Sequence, residues 1–299
     1  MRILMIRRKD RIIAVGIGIS VLLSVVLLVV AMSGLFSGRG ISGAVGGKRI
    51  ALIEVRGIIL DAGPIVRQLK KYTEDRSIPA MVLRIESPGG GVAASQEIYE
   101  KIRQVRARGK KVVASMGSVA ASGGYYIAAA ADTIVANPAS ITGSIGVIAN
   151  VPNTGALFRK IGVELQVVKS GVYKDMGSPM REMTKRERAM FQEVVDDTYD
   201  QFVEAIVARR NLSKEEVLRI ADGRIFTGRK ALAYKLVDVL GTYEEAVDLA
   251  AEMVGLKKPP TTTQEKKRFA VLDLLFGRLD SFPFSSVQPP PMVSYMMSF

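Results

Sequence analysis

Residues Met81 to Arg108 read MVLRIESPGGGVAASQEIYEKIRQVRAR, which places a strand pattern, a glycine turn and a helix pattern in direct succession. Met81–Ile85 is a short apolar run typical of a buried strand, whereas Ala93–Arg108 repeats apolar residues at helical spacing with charges opposite. The three glycines from Gly89 to Gly91 permit positive φ angles and close approach of a ligand to the backbone. A strand that enters a helix through so tight a turn predicts an α/β protein.

The same alternation of strands and helices continues on both sides of this unit. Further strands are predicted at Ile50–Val55, Val112–Ser115, Thr133–Val135 and Glu164–Val168. Further helices are predicted at Gly124–Ala131 and from Thr184 to about Arg209. Three capping boxes predict helix starts, at Thr184 with Glu187, Ser213 with Glu216, and Thr242 with Glu245. Because few loops are long, the pattern indicates one α/β domain over residues 48–256.

The N-terminal segment has the composition of a membrane anchor. Residues 1–11 are basic, and residues 12–34 form an apolar run without charge that is long enough for a transmembrane helix of about 20 residues. The positive charges in front of the run predict an N-terminus in the cytoplasm and a single pass. A cleaved signal peptide is the competing interpretation. Residues 35–47 are rich in Gly and Ser, which predicts a flexible tether.

The C-terminal segment, residues 257–299, differs again in composition. It contains Pro259-Pro260 and three prolines at 289–291, which cannot continue a helix. A mostly unstructured tail is therefore predicted, with a short amphipathic piece near Phe269–Leu279. The last residues, Met292 to Phe299, are apolar and small enough to enter a peptide-binding groove.

The composition excludes several kinds of chemistry. The chain has 299 residues, a net charge of +13, no Cys and no His. A thiolate nucleophile, a Ser-His-Asp triad and a zinc site with His or Cys ligands are therefore impossible. The basic residues are not interleaved with stacking aromatics, so no nucleic-acid groove is predicted and the charge fits a surface near anionic lipid. A catalytic Ser or Thr must be activated by Lys, a carboxylate or a terminal amine.

A serine occupies a second strand-to-helix turn, in the segment Ser118–Tyr126. Ser122 stands between Ala121 and Gly123, and small neighbours leave its hydroxyl accessible. The amide of Gly123 could then help to bind an oxyanion, as at the nucleophile elbow of hydrolases, although the GxSxG motif is not matched. The alternative interpretation is that Ala and Gly allow close packing of a helix on the sheet.

A lysine is the candidate base by elimination. Lys174 lies in the segment Ser170–Pro179, and an isolated Lys is ordinarily a solvated surface charge. A lysine that acts as a base near pH 7 needs a pKa about 3 below its ordinary value near 10.4, which burial among apolar groups can supply. The flanking Val172, Tyr173 and Met176 suit such a pocket, and Asp175 is expected to point away.

Four motifs occur in an order similar to that of the signal peptide peptidase A family of bacterial serine peptidases. They are Ser87–Gly91, Ala121–Tyr126, Thr142–Gly146 and Gly171–Asp175. The likeness covers residues 48–256, and the anchor is like that of the short, single-domain form. The resemblance implies a crotonase-like fold of repeated ββα units, shared with the Clp peptidase.

The resemblance also implies roles for individual residues. Ser122 would be the nucleophile, Lys174 the general base and Ser144 the hydroxyl that orients the base. The amides of Gly89 and Gly123 would form the oxyanion hole. No metal and no cofactor are implied.

The biology implied by the resemblance is that of a peptidase in the cell's inner membrane. The domain would lie outside the cytoplasm and degrade signal-peptide remnants and other apolar peptides through an acyl-enzyme. The family forms homo-oligomeric rings in which adjacent subunits jointly shape the substrate grooves. Three alternatives stay open: an acyl-CoA enzyme on the crotonase scaffold, a catalytically silent membrane scaffold or peptide-binding protein, and a membrane serine protease of the stomatin-partner type.

Overall fold

The computed structural model describes residues 17–27, 47–265 and 293–296. The chain divides into two units, residues 1–46 and 47–299. In the first unit, residues 17–27 form a helix, α1, whose apolar side chains are exposed. Among the described residues, no helix has both the length and the apolar character needed to cross a membrane. The rest of the predicted anchor, the basic segment 1–11 and residues 35–46 of the tether lie outside the described residues.

The second unit alternates strands and helices, which confirms the α/β prediction. The strands are β1 (Ile50–Arg56), β2 (Ala80–Ser87), β3 (Gly89–Gly91), β4 (Lys111–Ala121), β5 (Thr133–Ala136), β6 (Ile141–Gly143), β7 (Ile148–Ala149), β8 (Ile225–Thr227), β9 (Val239–Leu240), β10 (Thr262–Gln264) and β11 (Val293–Met296). The helices are α2 (Gly63–Glu74), α3 (Val92–Ala107), α4 (Gly123–Ala129), α5 (Gly155–Lys160), α6 (Lys185–Val207), α7 (Lys214–Leu218), α8 (Gly228–Ala233) and α9 (Tyr243–Glu252).

The strands form two sheets that meet at the glycine turn. The larger sheet has the order β10-β1-β2-β4-β5-β9 and is parallel along this path. Strand β6 pairs parallel with the end of β4, and β8 pairs antiparallel with β6. The smaller sheet has the order β3-β11-β7, with β11 antiparallel to both neighbours. The end of β4 and the glycine strand β3 therefore lie where the two sheets approach each other.

The core has two layers because the central strands are buried on both faces, as expected for a parallel sheet. One face of the sheet packs against α2, α3, α4 and α6 through a large apolar cluster that includes Leu69, Ile98 and Phe202. The opposite face packs against α9 through Ala246 and Ala250. The three predicted capping boxes are all present, at the starts of α6, α7 and α9.

Two parts of the chain differ from expectation. The predicted strand Glu164–Val168 is wrong: these residues have no regular structure, and Val168 is 101% exposed. No described strand of this chain lies beside them, so the alternating apolar residues mark an uncovered surface. In the segment predicted as a mostly unstructured tail, β10 extends the main sheet and β11 completes the smaller one. The predicted amphipathic piece at Phe269–Leu279 lies outside the described residues.

Candidate active site

Ser122 occupies the sharp turn between β4 and α4. Its backbone has φ 53° and ψ −117°, a conformation that a residue with a side chain rarely adopts. Such a conformation costs on the order of 1–3 kcal/mol and persists only where the surroundings enforce it. Here the Ser122 amide donates to the Gly143 carbonyl at 2.8 Å, and the Ser122 carbonyl accepts from the Tyr126 amide at 2.8 Å. The strand and the helix thus hold the turn from both sides.

The Ser122 hydroxyl is buried and lacks a partner. The residue is 1% exposed, and its Oγ makes no hydrogen bond to any described group. A buried hydroxyl without a partner is unfavourable for folding, since desolvating it costs about 1–3 kcal/mol. Strain and an unsatisfied hydroxyl at the same residue point to a functional rather than a structural serine.

The glycine strand β3 provides backbone amides next to Ser122. Ile59 forms hydrogen bonds along one edge of this strand. The Ile59 amide donates to the Gly89 carbonyl at 2.9 Å, and the Ile59 carbonyl accepts from the Gly91 amide at 2.7 Å. Backbone groups alternate along an extended strand, so the Gly90 amide faces the opposite side, where β11 pairs. The Gly90 nitrogen lies 3.2 Å from the position that a Cβ on Gly123 would occupy.

Gly89 and Gly123 are brought together as predicted, but the Gly89 amide is already engaged. The Gly123 nitrogen lies 2.8 Å from the position of a Gly89 Cβ, and Gly89 has φ 105°, which favours glycine. The Gly89 amide donates to the Ser87 hydroxyl at 3.1 Å. The amide nitrogens of Gly90 and Gly123 lie close to this point, and the main contribution of Gly89 in this arrangement is the space left by its missing side chain.

That space is filled by the protein's own C-terminal strand. The Tyr295 carbonyl oxygen of β11 lies 2.0 Å from the position of a Gly89 Cβ and 3.2 Å from that of a Gly123 Cβ. Residues Ser294 to Met296 pair in antiparallel register with Gly91 to Gly89. A peptide strand is thus seated along the glycine strand β3, with one carbonyl oxygen in the space beside Gly89 and Gly123.

Ser144 lies on the neighbouring segment that holds the Ser122 turn. It follows Gly143, has φ 49°, and its amide donates to the Arg224 carbonyl at 2.8 Å. Ser144 also lines a cavity of about 1040 Å³, and Met296, the residue after Tyr295, lines it as well. The structure thus brings Ser144 to the same site as Ser122, Gly89 and Gly123.

Lys174 is not joined to Ser122 within the chain. The residue is exposed, and its Nζ makes no hydrogen bond or ion pair among the described residues. It belongs to a projecting segment, residues 155–176, which we call the apolar arm. The arm exposes several large apolar side chains: Leu157, Ile161, Val163, Leu165, Val167, Val168 and Val172. The pocket predicted for the lysine is therefore absent from the described part of a single chain.

A charged cluster closes the base of the apolar arm. Arg181 donates to Asp175 at 2.9 and 3.0 Å and to Glu187 at 2.5 and 2.9 Å. The Asp175 carboxylate also accepts from Lys169 at 2.6 Å, so it is directed to these cations, which agrees with the expectation that it points away from Lys174. Hydrogen bonds from Arg181 and from the Thr184 backbone lower the pKa of Glu187 to about 2. The pKa of Asp175 is held well below its usual range by Arg181 and Lys169.

Sequence reasoning missed the aromatic pocket that receives Tyr295. The ring of Tyr295 stacks on Tyr126 with centroids 5.1 Å apart and contacts Phe202 at 4.7 Å. Its hydroxyl donates to the Thr198 carbonyl at 3.0 Å. The apolar end of the tail was the one signal in the sequence, since the pocket itself is assembled from α4 and α6, which are distant in sequence.

The fold and the site together define a class of protein: an α/β protein of the protease type, with a strained, buried serine beside a bound peptide strand. Comparison with known families agrees. The model of the Clp protease family matches residues 50–144, which fits a Clp-like α/β fold. The model of peptidase family S49 matches residues 104–257, more than half of the chain. The chain therefore belongs to peptidase family S49.

Individual relatives carry related names. The chain is 49% identical to "Putative protease slr0021" of Synechocystis sp., over 70% of this chain and 76% of that protein. It is 37% identical to "Putative signal peptide peptidase SppA" of Enterococcus faecium, over 67% of this chain and 62% of the relative. It is 36% identical to "Protease 4" of Haemophilus influenzae, over 70% of this chain and 35% of the relative. The match thus spans less than two thirds of the last two relatives. The comparisons support membership of the signal peptide peptidase A family, as the motifs suggested.

Proposed function

We propose that the chain is a serine endopeptidase that hydrolyses apolar peptides through an acyl-enzyme on Ser122. The observation that carries this proposal is the strained, buried Ser122 whose hydroxyl has no partner and whose turn abuts a bound peptide strand. A nucleophile, an amide cluster and a peptide carbonyl are the three parts that acyl transfer requires. The crotonase-type acyl-CoA alternative does not account for a peptide strand at the site.

The reaction follows from these positions. The Ser122 oxygen attacks the peptide carbonyl while its proton passes to the neutral amine of Lys174. The amides of Gly123 and Gly90 receive the developing oxyanion, and the Gly89 amide joins them once it leaves the Ser87 hydroxyl. Lysinium then protonates the leaving amine, and water activated by the same lysine releases the acyl group. Ser144 orients the lysine amine.

The base reaches the nucleophile in an assembly of several copies. The apolar arm exposes seven large apolar side chains close together in the sequence, whereas a monomer's surface normally carries such side chains singly. A neighbouring copy is therefore expected to bury them. Burial against that copy removes the Lys174 amine from water and brings it to the neighbour's Ser122. A homo-oligomeric ring, in which each groove is shaped by two subunits, satisfies both needs.

The natural substrates and location are proposed from the sequence and the family. Signal-peptide remnants are apolar and reside in the membrane, where an anchor over residues 12–34 would hold the enzyme with its domain outside the cytoplasm. The name of the Enterococcus faecium relative supports this substrate class.

The test is cleavage of a fluorogenic apolar peptide by the full chain and two variants. Ser122→Ala and Lys174→Ala should each abolish turnover, while the assembly size by light scattering stays that of the wild type. Ser118→Ala and Lys160→Ala, exposed residues on β4 and α5, are the matched controls and should retain activity. Turnover that survives Ser122→Ala would refute the proposal and favour another nucleophile.

A mixing experiment tests whether the dyad spans two copies. Ser122→Ala and Lys174→Ala chains are inactive alone, but co-refolded together they should recover part of the wild-type activity, because some interfaces then contain an intact Ser122 and an intact Lys174. If one chain supplied both residues, no mixture could regain activity.

A further inference from the structure

Strand β4 carries a bulge shortly before the turn of the candidate nucleophile. Strands β2 and β4 pair in regular register up to Met116, and the pairing resumes at Ala120. Between these points β2 advances by two residues, from Ile85 to Ser87, whereas β4 advances by four. One residue of β2, Glu86, therefore stands opposite three residues of β4, and a surplus of this kind makes a strand bulge and bend.

The side chain of Glu86 takes the place of a strand partner for this β4 bulge, which consists of residues 117–119. Its two carboxylate oxygens accept from the Ser118 amide at 3.0 Å and from the Val119 amide at 3.1 Å. Gly117 permits the close approach, because a Cβ at that position would overlap a Glu86 carboxylate oxygen. Hydrogen bonds to a carboxylate are about twice as strong as those between neutral groups, so Glu86 holds the bulge in one conformation.

The β4 bulge is the place where β4 changes its neighbour in the sheet. Up to Met116, β4 pairs with β5, and from Val119 onwards it pairs with β6. The pairing with β6 ends at Gly143, whose carbonyl accepts from the Ser122 amide and so holds the strained turn. Val119 is only three residues before Ser122, which is about 10 Å along an extended strand. The conformation of the bulge thus determines where the turn at Ser122 lies.

We infer that Glu86 is a positioning residue for the nucleophile: its carboxylate fixes the β4 bulge and, through β4, the place of the Ser122 hydroxyl. The inference rests on the proposed function, because it deepens the account of the same site. Without the carboxylate, two amides lose their acceptor and the surplus residues of β4 can redistribute along the strand. A redistribution by one residue would move the turn by about 3.3 Å, more than a reacting centre tolerates.

The first test measures kcat and KM for apolar peptides with the full chain carrying Glu86→Gln or Glu86→Ala. Gln offers one acceptor oxygen for two amides, so kcat should fall about tenfold, whereas Ala offers none and kcat should fall about a hundredfold. KM should stay within about threefold, because peptides pair with β3, which Ile59 holds from its other edge. A loss of kcat smaller than about tenfold in Glu86→Ala, or a change in KM alone, would overturn the inference.

Asp132→Asn is the matched control, because Asp132 makes the same kind of bond at the other end of β4. Its half-buried carboxylate accepts from the Val112 amide at 2.8 Å, ten residues before Ser122. The variant should lower the urea midpoint while leaving kcat within about twofold of the wild type. Equal losses of kcat in Asp132→Asn and Glu86→Gln would assign the effect to general loosening of β4 and contradict a positioning role.

Gly117→Ala tests the contact from the side of the bulge. The added Cβ would displace the Glu86 carboxylate, so kcat should fall about as far as in Glu86→Ala. In the double variant the two losses should not multiply, because there is no carboxylate left to displace. Losses that multiply would show that the two residues act independently, and the inference would then be wrong.

Amide hydrogen exchange separates this inference from the proposed function, since it does not depend on turnover. In Glu86→Ala the amides of residues 118–122 should exchange at least about tenfold faster than in the wild type, and Asp132→Asn should leave their rates unchanged. Faster exchange together with peptide cleavage that survives Ser122→Ala would refute the proposed function and keep the role of Glu86 at the turn. Unchanged exchange in Glu86→Ala would refute that role, whatever the peptide assays show.

Discussion

Gly89→Ala tests whether the space at the glycine turn is essential to the site. The added Cβ would lie 2.0 Å from the Tyr295 carbonyl oxygen and 2.8 Å from the Gly123 nitrogen. A carbon and an oxygen normally approach to about 3.3 Å, so a carbonyl bound there must retreat by about 1.3 Å. A misplacement of about 1 Å at a reacting centre costs on the order of a hundredfold in rate, or about 2.7 kcal/mol. The kcat/KM of peptide cleavage should therefore fall at least a hundredfold.

The backbone contributes a second effect that needs its own control. Gly89 has φ 105°, which alanine adopts at a cost of about 1–3 kcal/mol. Gly109, after α3, also has a positive φ of 81°, but a Cβ there would have no heavy atom within 4 Å. Gly109→Ala therefore reproduces backbone strain without obstruction and should lower the urea midpoint while leaving kcat/KM within a factor of about two.

The assay compares both variants in peptide cleavage and in urea unfolding followed by circular dichroism. Loss of activity in Gly89→Ala with a folded far-ultraviolet spectrum, beside normal activity in Gly109→Ala, is the expected pattern. Normal cleavage by a folded Gly89→Ala chain would refute the assignment of this point as the carbonyl site. Equal losses of activity in the two variants would show that backbone strain, rather than the missing space, governs the effect.

Three further outcomes are expected. Arg181 lowers the pKa of Glu187 from 4.5 to about 2, so the ionised Glu187 carboxylate stabilises the folded chain above pH 4.5, and this stabilisation is lost as the pH falls towards 2. The urea midpoint of the wild type should therefore drop between pH 4.5 and about 2. The midpoint of Glu187→Gln should depend less on pH over the same range. Deletion of residues 292–299 should lower KM for apolar peptides about tenfold with little change in kcat, because a tethered competitor is removed; an unchanged KM in steady-state assays would argue against competition. Arg210→Met should lower the free energy of unfolding by about 1–3 kcal/mol, because the Asp238 carboxylate loses its hydrogen bonds from Arg210 at 2.6 and 3.0 Å. An unchanged denaturation midpoint would contradict that value.

The sequence was sufficient for the parts of the fold that depend on local patterns. Apolar runs of strand length and capping boxes located most elements of the domain, because these signals depend on neighbours in the chain. The turn at Ser122 could also be predicted from the sequence, since the small residues around Ser122 are a local requirement of such a turn. The φ of 53° at Ser122 was not readable, because it results from bonds to Gly143 on another strand.

The site could be predicted only in part because its other components come from distant segments. The pairing of β11 with β3 joins residues more than two hundred positions apart, and no local pattern specifies such a contact. The prediction of a strand at Glu164–Val168 was wrong for a related reason. An alternating apolar pattern shows which side chains favour burial but not which part of a protein buries them. The pocket expected around Lys174 failed in the same way, since Lys174 and Val172 are exposed and the half-buried Tyr173 and Met176 do not enclose the lysine.

The backbone of Ser122 has a consequence for how this position can evolve. Glycine adopts φ 53° and ψ −117° without the steric penalty that serine bears, and it has no hydroxyl to leave unsatisfied. A Ser122→Gly chain should therefore fold more stably than the natural one, by on the order of 1–3 kcal/mol. Selection for folding alone would favour glycine at this position in any lineage that no longer needs the hydroxyl. The serine at this turn thus makes the fold less stable than a glycine would, and we expect it to be kept only where its hydroxyl is needed for chemistry.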